Sequence, residues 1–150
     1  MIVSINPADG RELARYAMHS DQYVHEALGA AATAQAAWRK LPIARRCRLL
    51  AGMARVLRAG KSRYAAMITR EMGKPIVEAE AEIEKCAYNC DFYAENAARF
   101  LADEPVASNA TESVVAFDPL GVVLAIMPWN YPFWQFFRFA APAFAAGNGA

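Results

Sequence analysis

The sequence predicts an α/β fold made of an opening β-hairpin, several helices and an incomplete parallel sheet. Three observations carry this. The turn residues Pro7-Ala-Asp-Gly10 separate two short extended segments near the start. Apolar residues then recur at three-to-four spacing through most of residues 21–100, the period of an amphipathic helix. Finally, Gly121-Val-Val-Leu-Ala-Ile-Met-Pro-Trp-Asn-Tyr-Pro132 passes from an apolar run through a tight turn into an aromatic stretch, the order strand, turn, helix.

Each element follows from its local chemistry. Val3-Ser-Ile-Asn and Glu12-Leu-Ala-Arg-Tyr-Ala flank the first turn, with Gly10 where a positive φ is required. Asp21 is placed to cap a helix whose inward positions are Val24, Leu28, Ala31, Ala34 and Trp38. Leu41-Pro42 breaks it, and Pro42 suits the first turn of a second helix that buries Ile43, Cys47, Leu50, Met53 and Leu57 and stops near Gly60. A third helix, from about Ser62, carries Tyr64, Met67, Ile68 and Met72 before Gly73. Pro75 opens a fourth, with Ile76, Ile83, Ala87, Cys90 and Ala94 on one face, while Glu78, Glu80, Glu82 and Glu84 read as a solvated face. The pattern breaks around Ala102-Asp-Glu-Pro105. Glu112–Phe117 then reads as a strand, Asp118–Gly121 as a turn, Val122–Met127 as a buried strand, and Tyr131–Ala146 as the last helix. A buried parallel strand needs neighbours on both edges, so the sheet is read as cut short, with exposed edges, an uncovered apolar face and poor solubility in isolation.

Composition excludes several function classes. Hydrophobic residues make up 56% and charged residues 21% of the 150, values of a folded globular chain. Net charge is +1 with the signs interleaved, which gives neither a basic stripe for nucleic acid nor a polybasic membrane patch. A membrane span needs about 20 mostly apolar residues in one helix. From Pro119 onward Arg138 is the single charged residue, but Pro128, Asn130, Pro132 and Pro142 interrupt the stretch. Cys47, Cys86 and Cys90 are too few for a disulfide framework, and Met1-Ile-Val-Ser lacks a secretory n-region. A reducing cytoplasm is expected.

Few residues are placed for chemistry. His19 and His25 lack partners at metal-ligand spacing and read as solvated helix-end residues. Cys86 and Cys90 share a helical face and read as packing. Neither G-x-G-x-x-G nor G-x-x-x-x-G-K-[ST] occurs, so glycines offer no argument for a nucleotide. Asn130 stands apart. It falls at the carboxyl end of the expected strand, where open α/β sheets bind ligands, and its carboxamide can donate to an oxygen gaining negative charge. The alternative is a turn residue that hydrogen-bonds its own backbone. Arg138, set among Phe133, Trp134, Phe136, Phe137 and Phe139, requires either solvent or an anionic partner, because burying an unpaired guanidinium costs several kcal/mol. A ligand carboxylate is one such partner.

Pro128-Trp-Asn-Tyr-Pro132, followed by Ala141-Pro-Ala-Phe-Ala-Ala-Gly-Asn148, resembles the aldehyde dehydrogenase superfamily. The resemblance extends to Ile5-Asn-Pro-Ala-Asp-Gly10, similar to that family's opening hairpin, and to Glu71-Met-Gly-Lys-Pro75 with Glu78, Ala79 and Glu82, similar to its helix junction. It implies oxidation of a small-molecule aldehyde to the acid with NAD or NADP, in a homo-oligomer, dimer or tetramer. It also implies that residues 1–150 are the amino-terminal part of a Rossmann-type NAD(P)-binding domain, truncated before the catalytic domain. By resemblance, Asn130 donates to the thiohemiacetal oxyanion. Ile126, Met127, Pro128 and Trp129 line the cofactor cleft, and Tyr131, Trp134 and Arg138 line the aldehyde tunnel. Arg at 138 and the Ala-Gly-Asn-Gly-Ala ending are similar to succinate-semialdehyde dehydrogenases, where that arginine can hold the distal carboxylate. The family's Gly-Gln-x-Cys nucleophile, general-base glutamate and following lysine are absent from these 150 residues, so the segment alone is expected to be inactive. A non-catalytic product that only pairs with a full-length subunit, or binds a dinucleotide, is the alternative.

Overall fold

The computed structural model describes all residues 1–150. Strands β1 (Ile2–Ile5) and β2 (Glu12–Tyr16) pair antiparallel, Ile2 opposite Tyr16, with a register shift between Ser4 and Ile5. Gly10 sits at φ 73°, and its amide closes the turn on the Asn6 carbonyl at 2.8 Å. Helices α1 (Asp21–Trp38), α2 (Ile43–Ala59), α3 (Lys61–Met72) and α4 (Ile76–Phe100) follow. After them come β3 (Glu104–Pro105), β4 (Val114–Val115) and helix α5 (Pro132–Ala145). No helix is long and apolar enough to cross a membrane.

The core is a helix assembly centred on α4, against which α2, α3 and α5 pack. Its buried residues are chiefly small: Ala54, Ala65, Ala79, Ala87, Ala97, Ala141 and Ala145 sit among Leu50, Leu57, Ile68 and Ile83. Small side chains let helix axes approach closely, and the larger ones interdigitate to native density. Gly73 ends α3 in the left-handed region at φ 75°, its amide bonding the Thr69 carbonyl at 2.9 Å. A Cβ there would stand 3.1 Å from Pro7 Cγ. Glycine therefore serves both the helix stop and the seating of the hairpin tip on α3.

Several expectations are corrected. Ser20, not Asp21, caps α1, its hydroxyl accepting from the Tyr23 amide at 3.2 Å. Asp21 instead opens the first turn, where a carboxylate favours the helix dipole. Pro42 precedes α2 as its N-cap residue. The α1 stripe is half open: Val24, Leu28 and Ala34 are exposed, and Ala31 and Trp38 half-buried. Met53, Met67 and Ile76 also face outward. The strand expected over Glu112–Phe117 shrinks to two residues paired with Glu104–Pro105, the stretch read as a break.

The largest correction concerns Val122–Met127, which is neither a full strand nor buried. Val122 makes an isolated parallel bridge with Gly149, through Gly149 N to Gly121 O at 2.8 Å and Val123 N to Gly149 O at 2.9 Å. The parallel direction is as expected. Beyond that one bridge no strand lies alongside, so Leu124 and Ile126 remain 81% and 85% exposed. Apolar periodicity reports what a segment is suited to bury, whereas burial itself needs a partner surface.

The three thiols pack as expected. Cys86 and Cys90 are fully enclosed on the inner face of α4. Burial, then the negative charge of Glu82 and the neighbouring thiol, push Cys86 up to about 12, and burial with Asp91 pushes Cys90 up to about 11. Unfolded thiols titrate near 8.5. The folded chain thus holds these protons more tightly than the unfolded one, so stability is intact below about pH 8.5 and falls as pH rises toward the folded values. Iodoacetamide at pH 8 should label Cys86 and Cys90 only after denaturation. Labelling of the native protein at the rate of a free thiol would contradict this burial.

Candidate functional site

The turn Trp129-Asn130 leads directly into α5, and the arrangement of α5 determines where that turn lies. Tyr131 is the N-cap residue, at φ −140° and ψ 72°, and Pro132 occupies the first helical position, where its missing N–H costs nothing. Tyr131 makes no side-chain cap bond. Two first-turn amides are satisfied from another helix instead: Glu82 Oε1 on α4 accepts from Phe133 N at 2.9 Å and Trp134 N at 3.0 Å. Glu82 Oε2 is ion-paired with Lys74 Nζ.

This overturns the reading of Glu82 as solvated. Glu78 and Glu84 are exposed and Glu80 is half-buried, but Glu82 is 3% exposed and its partner Lys74 only 7%. Two buried charges persist because each is matched. Glu82 meets an ammonium and two amides at the positive end of a helix. Lys74 meets the carboxylate and, 3.5 Å from its Nζ, the centre of the Tyr131 ring, a favourable cation–π site. Breaking such a pair from one side costs about 3–5 kcal/mol. The signal was present in the sequence. Glu82 keeps helical register with Ala79, Ile83 and Cys86, all of which are buried.

The other end of α5 is held as firmly. Arg46 Nε donates to Ala145 O at 2.9 Å, Trp38 Nε1 to Phe144 O at 2.9 Å, and Gln35 Nε2 to Gly147 O at 3.0 Å. Arg46 places its cation at the negative end of the dipole. Pro142 lies inside the helix and has no N–H to return to the Arg138 carbonyl. Beside that gap, Asn89 Nδ2 donates to Phe137 O at 2.9 Å.

The residues singled out from sequence lie along this frame. Ile126, Met127, Pro128, Trp129 and Asn130 form one open surface, with Trp129 76% exposed. Trp129 borders a hollow with Pro7, Met72, Pro132 and Phe133. Asn130 is exposed in the turn that precedes α5, and its side chain is tied to no backbone group, which leaves the carboxamide open to a ligand. Tyr131 is tied down by Lys74. Trp134 is half-buried under Lys85, whose Nζ lies 4.1 Å from the ring centre. Arg138 is exposed, one helical turn beyond Trp134 on the same face. It is in none of the ion pairs, which leaves its guanidinium available to an anion.

The open surface suits part of a dinucleotide site, since exposed Ile126 and Trp129 offer flat apolar contact and the unpaired backbone of 124–127 offers donors and acceptors. No accessible thiol stands near Asn130, because Cys47, Cys86 and Cys90 are all buried. His19 and His25 are exposed; His19 stacks on Tyr23 and His25 Nδ1 lies 2.7 Å from the Asp21 carbonyl.

Comparison with known proteins adds a frame for this geometry. The model of the aldehyde dehydrogenase family matches residues 1–150. A probable succinate-semialdehyde dehydrogenase (NADP+) of Synechocystis is 48% identical over 147 residues, covering 98% of this chain and 32% of the relative. A succinate semialdehyde dehydrogenase (NAD(P)+) of Escherichia coli K12 is 44% identical over 147 residues, with the same 98% and 32% coverage. The chain thus spans about a third of the length of the curated relatives it matches. Among solved structures, succinic semialdehyde dehydrogenase from Streptococcus pyogenes in complex with NADP+ superposes with a TM-score of 0.91 at 33% identity. That match covers 97% of this chain and 32% of the other. An NADP complex of the glyceraldehyde-3-phosphate dehydrogenase GapN from Methanocaldococcus jannaschii gives 0.92 at 27% identity, with 99% and 32% coverage.

Proposed function

The chain belongs to the aldehyde dehydrogenase family, and from that premise we propose that it forms the amino-terminal part of the NAD(P)-binding domain of an enzyme that oxidises succinic semialdehyde to the acid. The observation that carries the reading is the free carboxamide of Asn130, held at the open end of a helix that is braced at both termini. The fold match and the activities of the relatives support the reaction class and the NADP-type acceptor.

The chain's own residues have distinct tasks in this reaction. When a thiolate adds to the aldehyde, the carbonyl oxygen takes up the displaced electron pair. The Asn130 N–H donates to that oxygen and stabilises the charge. Such stabilisation is greatest where the donor is already placed when the charge develops. The nucleophile is none of this chain's three thiols, which are all enclosed, and burial pushes those of Cys86 and Cys90 up. Ile126, Met127, Pro128 and Trp129 hold the dinucleotide, which supplies the hydride acceptor when bound. Tyr131 and Trp134 wall the aldehyde's path, and the unpaired Arg138 binds the distal carboxylate, for which a planar guanidinium is well matched.

Kinetics of the complete enzyme test both assignments. Asn130→Ala should lower kcat by about 10²–10³ with little change in KM, the loss seen when one oxyanion donor is removed. An unchanged kcat would exclude the role. Arg138→Ala should raise KM for succinic semialdehyde far more than for an uncharged aldehyde of similar length. Equal effects on both substrates would exclude carboxylate binding.

A further inference from the structure

We propose that Lys74 and Glu82 are positioning residues for the Asn130 donor, acting through the first turn of α5. This rests on the reading of Asn130 given above and extends it to two side chains that touch no substrate.

Three contacts from one ion pair reach Tyr131, Phe133 and Trp134. Glu82 Oε1 holds the amides of Phe133 and Trp134 at 2.9 and 3.0 Å, Glu82 Oε2 holds Lys74, and Lys74 Nζ lies 3.5 Å from the centre of the Tyr131 ring. Two amides on one oxygen fix both the rotation and the height of α5 against α4. The cation under Tyr131 fixes the residue that joins the helix to the turn. Asn130 comes immediately before Tyr131 and has no anchoring bond of its own, so its position is inherited from this clamp. Lys74 is in turn set between the glycine stop of α3 and Pro75 at the start of α4, a short connection that gives its backbone little freedom.

The chemistry explains why a charged device stands here. An oxyanion donor must reach within about 2.7–3.1 Å of the developing charge, and a displacement of about 1 Å can cost about 10²-fold in rate. For stability alone, well-packed apolar residues of similar volume serve as well as a buried ion pair. An apolar pair, however, cannot accept the two amides of Phe133 and Trp134. Accepting those two N–H groups while neutralising Lys74 is the combination that the carboxylate provides.

The test is a double-mutant cycle in the complete enzyme, with succinic semialdehyde and NADP+ as substrates. Glu82→Gln keeps one acceptor oxygen but removes the negative charge that pairs with Lys74. It should lower kcat on the order of 10–100-fold, with KM within about twofold, as for an interaction made only in the transition state. In the Asn130→Ala background the same change should lower kcat no further, since the group it positions is gone. An equal fall in both backgrounds, or a folded Glu82→Gln enzyme with unchanged kcat, overturns the proposal. Should Glu82→Gln fail to fold, Lys74→Met/Glu82→Gln leaves no buried charge unpaired and carries the same comparison. Failure of both to fold overturns the positioning role in favour of a purely structural one. Failure of the Asn130 reading itself shows separately, as a single Asn130→Ala variant with normal kcat, and removes the positioning role with it.

Discussion

A carboxylate buried at the start of a helix is the constraint on which the rest of this structure depends. Glu82 is enclosed on α4, yet it neutralises Lys74 and satisfies two backbone amides that α5 would otherwise leave without partners. Four unsatisfied N–H groups at every helix start have to find acceptors, and buried ones left alone are costly. Here the acceptor comes from a distant helix. Tertiary packing and local capping therefore become the same interaction, and α5 cannot shift without breaking both amide bonds to Glu82.

The same logic operates at the far end. Arg46 and Trp38 draw the last carbonyls of α5, and Gln35 the Gly147 carbonyl just beyond it, toward α2 and α1, so the helix dipole runs from a carboxylate to a guanidinium. The ion pairs of Arg58 with Glu84 and Asp91 offer a contrast. They also bridge α2 and α4, at 2.8 and 2.6 Å, but on the exposed surface, where solvent and salt leave such pairs worth little. What separates the two sets is whether water can replace the partner. Braced at both ends, α5 carries the turn at Trp129 and Asn130 directly before its first residue.

Much of the fold was legible because it is local. The hairpin followed from Pro7-Ala-Asp-Gly10, and four helices followed from three-to-four periodicity and from Gly60, Gly73 and Pro75 as punctuation. The misses share one cause, namely that burial is decided by what lies across the gap. Glu82 has the composition of a surface residue and the register of a core one, and Lys74 with the α5 amides decided the matter. Val122–Met127 has the composition of a central strand, yet only Gly149 pairs with it. Identity and register disagreed at Glu82, where register was right; at Val122–Met127 both pointed inward and the partner surface was missing.

Of the candidate site, the turn and its neighbours were readable from Pro128-Trp-Asn-Tyr-Pro132, while the clamp beneath them was not. The most direct test of that clamp is hydrogen exchange at the Phe133 and Trp134 amides. If Glu82 holds them, both should exchange far more slowly than the first-turn amides of α4, which no side chain caps, and Lys74→Met/Glu82→Leu, which removes the acceptor without leaving a buried charge unpaired, should erase much of the difference. Equal, rapid exchange of all these amides in the unmodified protein would contradict the account.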